Sequence, residues 1–85
     1  MDSTKILIVD DELILRESLA GWLEGDGHVV ETAASGEEAL QKLKEYHFEI
    51  LLVDIKMEES GLDVLTKVKE SDPDVAVVKI GRAHV

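Results

Sequence analysis

Three aspartates stand where short apolar runs end. Ile6-Leu7-Ile8-Val9 closes on Asp10 and Asp11, and Ile50-Leu51-Leu52-Val53 closes on Asp54. A short apolar run of this kind reads as a buried parallel strand, and the acid that follows it is delivered to the rim of the sheet. If the two strands are neighbours, three carboxylates converge at one rim. At roughly 5 Å separation and an effective dielectric of about 20, each pair repels by about 3 kcal/mol. A hard divalent cation such as Mg²⁺ relieves that repulsion and creates a site for phosphate oxygens. One of these acids alone would be read as a solvated strand end or a helix cap. All three together point to metal-assisted phosphate chemistry.

The elements that must position these acids follow from periodicity. The first strand spans about Lys5–Asp10. A helix then carries Leu15, Leu19, Trp22 and Leu23 on one face, at i, i+4, i+7, i+8 spacing. Gly25-Asp26-Gly27 ends it, since glycine suits the left-handed residue after a helix. Val29–Thr32 is a short second strand. Ser35 and Glu38 form an S-x-x-E capping box, so a second helix starts there and buries Ala39, Leu40 and Leu43. Phe48–Asp54 is the third strand. Ser60 and Asp63 repeat the capping pattern for a third helix that buries Leu62, Leu65 and Val68, and Ser71-Asp72-Pro73 stops it. Val75–Val78 begins a fourth strand. Strands alternating with helices imply right-handed βαβ crossovers and a doubly wound parallel α/β sheet. Ligands of such sheets bind beyond the carboxyl ends of the strands, where the strand order reverses. If the first and third strands flank that reversal, all three acids face the crevice.

Composition narrows the function. Eighty-five residues suit one small domain, and 45% hydrophobic residues suffice for a core. The net charge of -10 argues against binding to the nucleic-acid backbone or to anionic membrane surfaces. With no cysteine, disulfides and thiolate metal sites are excluded. No signal peptide or membrane-length apolar stretch is visible, so a cytoplasmic location is the expectation. His28 and His47 fall at strand starts, opposite the acids, and read as surface residues. Glu58 and Glu59 read as a solvated loop.

With these residues in view, the chain resembles the receiver (CheY-like) domain of two-component response regulators over most of its length. KILIVDDE at 5–12, SGEEAL at 35–40, LLVDIKM at 51–57, SGLDVL at 60–65 and DPDVAVV at 72–78 carry the resemblance. The pairing of VDDE with VDIKM across a βαβαβ pattern is specific, where an isolated Asp-Asp would be weak. The resemblance implies a flavodoxin-like sheet of order 2-1-3-4. It implies that Asp54 is the phosphoacceptor, receiving a phosphoryl group from a phosphohistidine on a sensor histidine kinase. It further implies that Asp11 ligates Mg²⁺ directly, that Asp10 does so directly or through water, and that Lys56 offers its backbone carbonyl. Phosphoryl transfer needs positioning and charge neutralisation more than covalent machinery, which suits these residue types.

Departures from the family pattern set further expectations. The loop DIKMEESGLD lacks the proline usual after the methionine and is one residue short before its glycine. Gly81 stands where the fourth strand of the family ends in a hydroxyl-bearing Thr or Ser. The lysine of a fifth strand, with that strand and its neighbouring helices, has no counterpart. The closing IGRAHV reads like the translation of a common sequencing-library adapter. The expected organisation is a partial receiver domain over 1–78 and a non-native tail over 79–85. A sheet face left bare in this way is expected to pair copies into a homodimer or to aggregate.

The resulting expectation is a signalling module, not an enzyme acting on external substrates. Its phosphorylation should be impaired. A Mg²⁺-dependent phosphatase is the first rival, but such enzymes usually carry Asp-x-Asp after the first strand, and here the aspartates are adjacent. A phosphorylation-independent interaction or dimerisation domain is the second.

Overall fold

The computed structural model of the chain describes residues 4–54, 66–70 and 74–80. Six elements are bounded: β1 (Lys5–Val9), α1 (Leu13–Gly25), β2 (Val29–Ala33), α2 (Gly36–Glu45), β3 (Ile50–Asp54) and β4 (Ala76–Ile80). Residues 66–70 are also helical. The strands form one parallel sheet of order β2-β1-β3-β4, as the βαβ pattern requires.

β1 is central and hydrogen-bonded on both edges. Ile6, Leu7, Ile8 and Val9 are all buried, which explains why the run is apolar without alternation. One core joins Leu7 and Val9 to Leu51, Val53, Ala33, Ala39, Phe48, Val68 and Val75, with Leu40, Leu43 and Val77 packed against it. The helix over 66–70 reaches this core through Val68, while Leu62 and Leu65 lie outside the described residues. β4 is the outer strand, and its side chains are exposed or half-buried.

Both helices bounded here end as their residues direct. At α2, Ser35 Oγ accepts from the Glu38 N–H at 3.2 Å. The Glu38 carboxylate reaches back to the Ala34 N–H at 2.9 Å, one residue beyond the usual capping-box partner. Lys42 then bolts α2 to β2, donating to the Thr32 carbonyl at 2.6 Å and lying 3.4 Å from Glu31. At the end of α1, Gly27 adopts φ +94°, its N–H meets the Glu24 carbonyl, and the His28 N–H meets that of Leu23. This is the left-handed termination that glycine makes accessible.

Several boundaries and one face differ from the sequence expectation. β3 starts at Ile50, and Phe48 is buried just before it. β4 starts at Ala76, one residue after the expected Val75, and runs to Ile80. Trp22 does not share the packed face of α1: it is 75% exposed, whereas Leu15, Leu19 and Leu23 are half-buried. At about 100° per residue, the half-buried positions Leu15, Arg16, Leu19, Ala20 and Leu23 centre a quarter-turn away from Trp22. Ile14 and Leu13 are exposed as well. Among the described residues, no helix is long and apolar enough to cross a membrane. The Ser60–Asp63 cap, the Ser71-Asp72-Pro73 stop, the loop with Glu58 and Glu59, and Gly81 lie outside the described residues.

Two substitutions gauge these contributions. Leu7→Ala removes a fully buried side chain and should lower stability by about 2–5 kcal/mol, while Ser35→Ala should cost about 1 kcal/mol. Urea titration of both variants followed by circular dichroism measures the difference.

Candidate functional site

Register places the acids. Val9 of β1 is level with Val53 of β3 and with Ala33 of β2. The next residue on β1 is Asp10, and the next on β3 is Asp54, so the two carboxylates leave neighbouring strands at the same height. Neighbouring strands lie about 4.8 Å apart. A slip of one residue would turn one acid toward the opposite face. The order in which strands are added reverses between β1 and β3, because β2 lies on one side of the pair and β4 on the other.

Carboxylate oxygens of Asp10, Asp11 and Asp54 all lie within 4.8 Å of one another. Asp10 and Asp54 are only 4% and 3% exposed, whereas Asp11 faces solvent. Two buried carboxylates so close together need compensation.

Asp10 is held at three atoms. Its N–H donates to the Ala33 carbonyl at 3.1 Å. Its Oδ1 accepts from the Glu12 N–H at 2.8 Å, closing a turn that starts the chain toward α1. Its carbonyl accepts from Arg16 Nη1 at 2.7 Å. Asp10 thus supplies the cap-like bond at the start of α1, and Glu12, at the cap position, makes no side-chain cap. Oδ1 takes the cap-like bond, and a carboxylate has a second oxygen to offer the cluster.

The donor set fits a hard divalent ion. Three carboxylates supply oxygen ligands only, which is what Mg²⁺ takes. An octahedral ion with bonds of about 2.1 Å needs ligand oxygens about 3–4 Å apart. Separations bounded at 4.8 Å meet that with small side-chain adjustments. Asp11 is the solvent-exposed member of the cluster. Two concavities elsewhere, of about 500 and 620 Å³, are lined by none of these acids.

The structure brings together the three aspartates that the sequence singled out. Lys56 lies outside the described residues. His28 and His47 sit at the opposite ends of the strands, where the His28 Nδ1 accepts from the Thr4 N–H at 3.4 Å. Sequence reasoning missed Arg16. It is the single arginine of α1, and its residue type alone gave no sign of the backbone carbonyl it meets.

Comparison with known proteins gives a consistent answer. The family model of the response regulator receiver domain matches residues 6–84. Two-component response regulator PhoP of Pseudomonas aeruginosa is 38% identical over 66 residues, which cover 76% of this chain and 29% of that protein. Oxygen regulatory protein NreC of Staphylococcus aureus is 40% identical over 78 residues, covering 87% of this chain and 36% of its own length. The chain therefore spans about a third of the curated relatives it matches. Among solved structures, response regulator TrrA of Thermotoga maritima, in complex with Mg²⁺-BeF, superposes with a TM-score of 0.84 at 34% identity, covering 92% of this chain and 69% of that one. A CheY-like receiver domain protein from Methanospirillum hungatei superposes with a TM-score of 0.89 at 30% identity, covering 99% and 68%.

If like charge strains the cluster, removing one charge should relax it. Asp11→Asn should stabilise the fold in EDTA by about 1 kcal/mol after solvent screening, read as a higher melting temperature. The same variant should lose most of the stabilisation that millimolar Mg²⁺ gives the parent chain. Calorimetric melts with and without the ion check both outcomes.

Proposed function

The chain belongs to the response regulator receiver domain family, and from that premise we propose that it is a phosphoacceptor module of a two-component relay, with Asp54 as the acceptor. The observation that carries this reading is the convergence of Asp10, Asp11 and Asp54 at the switch point of the sheet. A sensor histidine kinase is the proposed donor. No direct contact with nucleic acid is proposed for an acidic domain of this kind.

In the proposed reaction a carboxylate oxygen of Asp54 attacks the phosphorus of a phosphohistidine. The new O–P bond forms as the N–P bond breaks, and the electron pair returns to the imidazole nitrogen. The product is an acyl phosphate, which water later hydrolyses to restore the carboxylate. Bound Mg²⁺ supplies charge neutralisation for the transferring oxygens. Asp10, Asp11 and Asp54 would hold the ion, with the Lys56 carbonyl as a further ligand. The strands fix where Asp54 points, and burial keeps bulk water from its inner side. The chain uses the donor's phosphoryl group and turns over no external substrate, so we class it as a module and not as an enzyme. Gly81, which has no hydroxyl to meet the phosphoryl oxygens, makes transfer slow in this reading.

A second reading is a phosphorylation-independent interaction domain, including pairing of two copies. The exposed Leu13, Ile14 and Trp22 on α1 favour it. Phosphate labelling separates the two. Incubation with acetyl phosphate and Mg²⁺ should label the chain slowly, and Asp54→Asn should abolish the label. Absence of label in the parent chain under all donor and ion concentrations would overturn the acceptor reading. Lys56→Ala should change Mg²⁺ affinity by no more than about twofold, because only a main-chain oxygen is invoked. Isothermal titration measures it.

A further inference from the structure

We infer that Arg16 is a positioning residue of the acidic centre, acting on the ion through the main chain of Asp10. The inference rests on the metal-binding reading of that centre and deepens it. Arg16 Nη1 donates to the Asp10 carbonyl at 2.7 Å across six residues, and the Arg16 N–H donates to the Glu12 carbonyl at 3.0 Å. The guanidinium therefore spans from the first turn of α1 to the end of β1. Between these anchors lie Asp10, Asp11 and Glu12, which include two of the three cluster acids.

The neighbouring bonds explain why the carbonyl is the right handle. The Asp10 N–H is committed to β2 through Ala33, and its Oδ1 is committed to the Glu12 N–H. One backbone atom remains by which the peptide after Asp10 could swivel, and Arg16 holds it. With that carbonyl fixed, the direction in which the chain leaves Asp10 toward Asp11 is fixed. Asp11 is exposed, and among the described residues no hydrogen bond to its side chain is seen, so there its orientation follows the backbone that carries it. A ligand arm set by its backbone loses little further freedom when an ion binds. Arginine suits the task because its planar fork stays charged and donates in a fixed direction.

Two physical effects of this side chain have opposite signs, which makes the inference testable. A guanidinium beside a cation site repels the cation, so charge alone predicts tighter Mg²⁺ binding when Arg16 is removed. Positioning predicts weaker binding. The experiment is Mg²⁺ titration of the parent chain, Arg16→Gln and Arg16→Lys by calorimetry, with folding of each checked by circular dichroism in EDTA. Arg16→Gln is expected to bind Mg²⁺ about tenfold more weakly, with Arg16→Lys recovering much of the loss because its ammonium can still donate to a carbonyl. Equal or tighter binding by a folded Arg16→Gln would overturn the inference.

A measurement on the parent chain covers the case in which the variants do not fold. Nitrogen NMR of the Arg16 side chain should show slowed rotation and solvent exchange of the guanidinium protons in the ion-free state. A freely rotating, fast-exchanging group would overturn the inference. If the parent chain itself binds no Mg²⁺, the metal-binding reading fails first, and that result is distinct from a parent that binds and a variant that binds equally well.

Discussion

Like-charge repulsion among three carboxylates, two of them buried, is the constraint around which the rest of the structure is arranged. Asp10 and Asp54 are both buried, and their carboxylates lie close together. The sheet holds them there regardless, because β1 and β3 are locked side by side by their ladder and by a shared apolar core. Bonds from the Asp10 main chain to β2 and Arg16, and from its carboxylate to the start of α1, keep the acid from turning away. The cluster is thus maintained by packing at a distance from it, a division seen in sites where stability is spent on preorganisation.

The fold was largely legible in the sequence, for definite reasons. The two apolar runs without alternation announce strands buried on both faces, and the helices between them force parallel pairing. Gly27 and Ser35 carry their termination and capping roles in their own chemistry. Ends of strands were less legible. β4 extends to Ile80 because its pairing with β3 continues to Asp54, and strand ends are settled by such partners rather than by local propensity. Trp22 was misplaced because leucines at i and i+4 define a stripe whose centre the periodicity leaves loose by a quarter-turn. In α1 the packed stripe includes the half-buried Arg16 and Ala20, and that moves its centre away from the tryptophan.

The site divides in the same way. The three aspartates could be found because each ends a strand, and strand ends are visible as a change from apolar to acidic residues. Arg16 could not be assigned, since an arginine on an amphipathic helix looks like a solvated surface charge until its partner is seen. Its partner is a carbonyl, and main-chain acceptors leave no trace in a sequence. Lys42 shows the same limit: its bond to the Thr32 carbonyl ties α2 to β2, and nothing in the residue types announces it.

The level register of β1 and β3 also has a consequence for how the domain comes to exist. The acids that meet at the rim are separated along the chain by α1, β2 and α2, so a long loop must close before they can touch. No fragment that stops short of β3 can hold the centre, and contacts this distant in sequence form slowly relative to local helices. A cation captured there would reward only states in which β1 and β3 are paired, adding its binding energy to the folded side of the equilibrium by mass action.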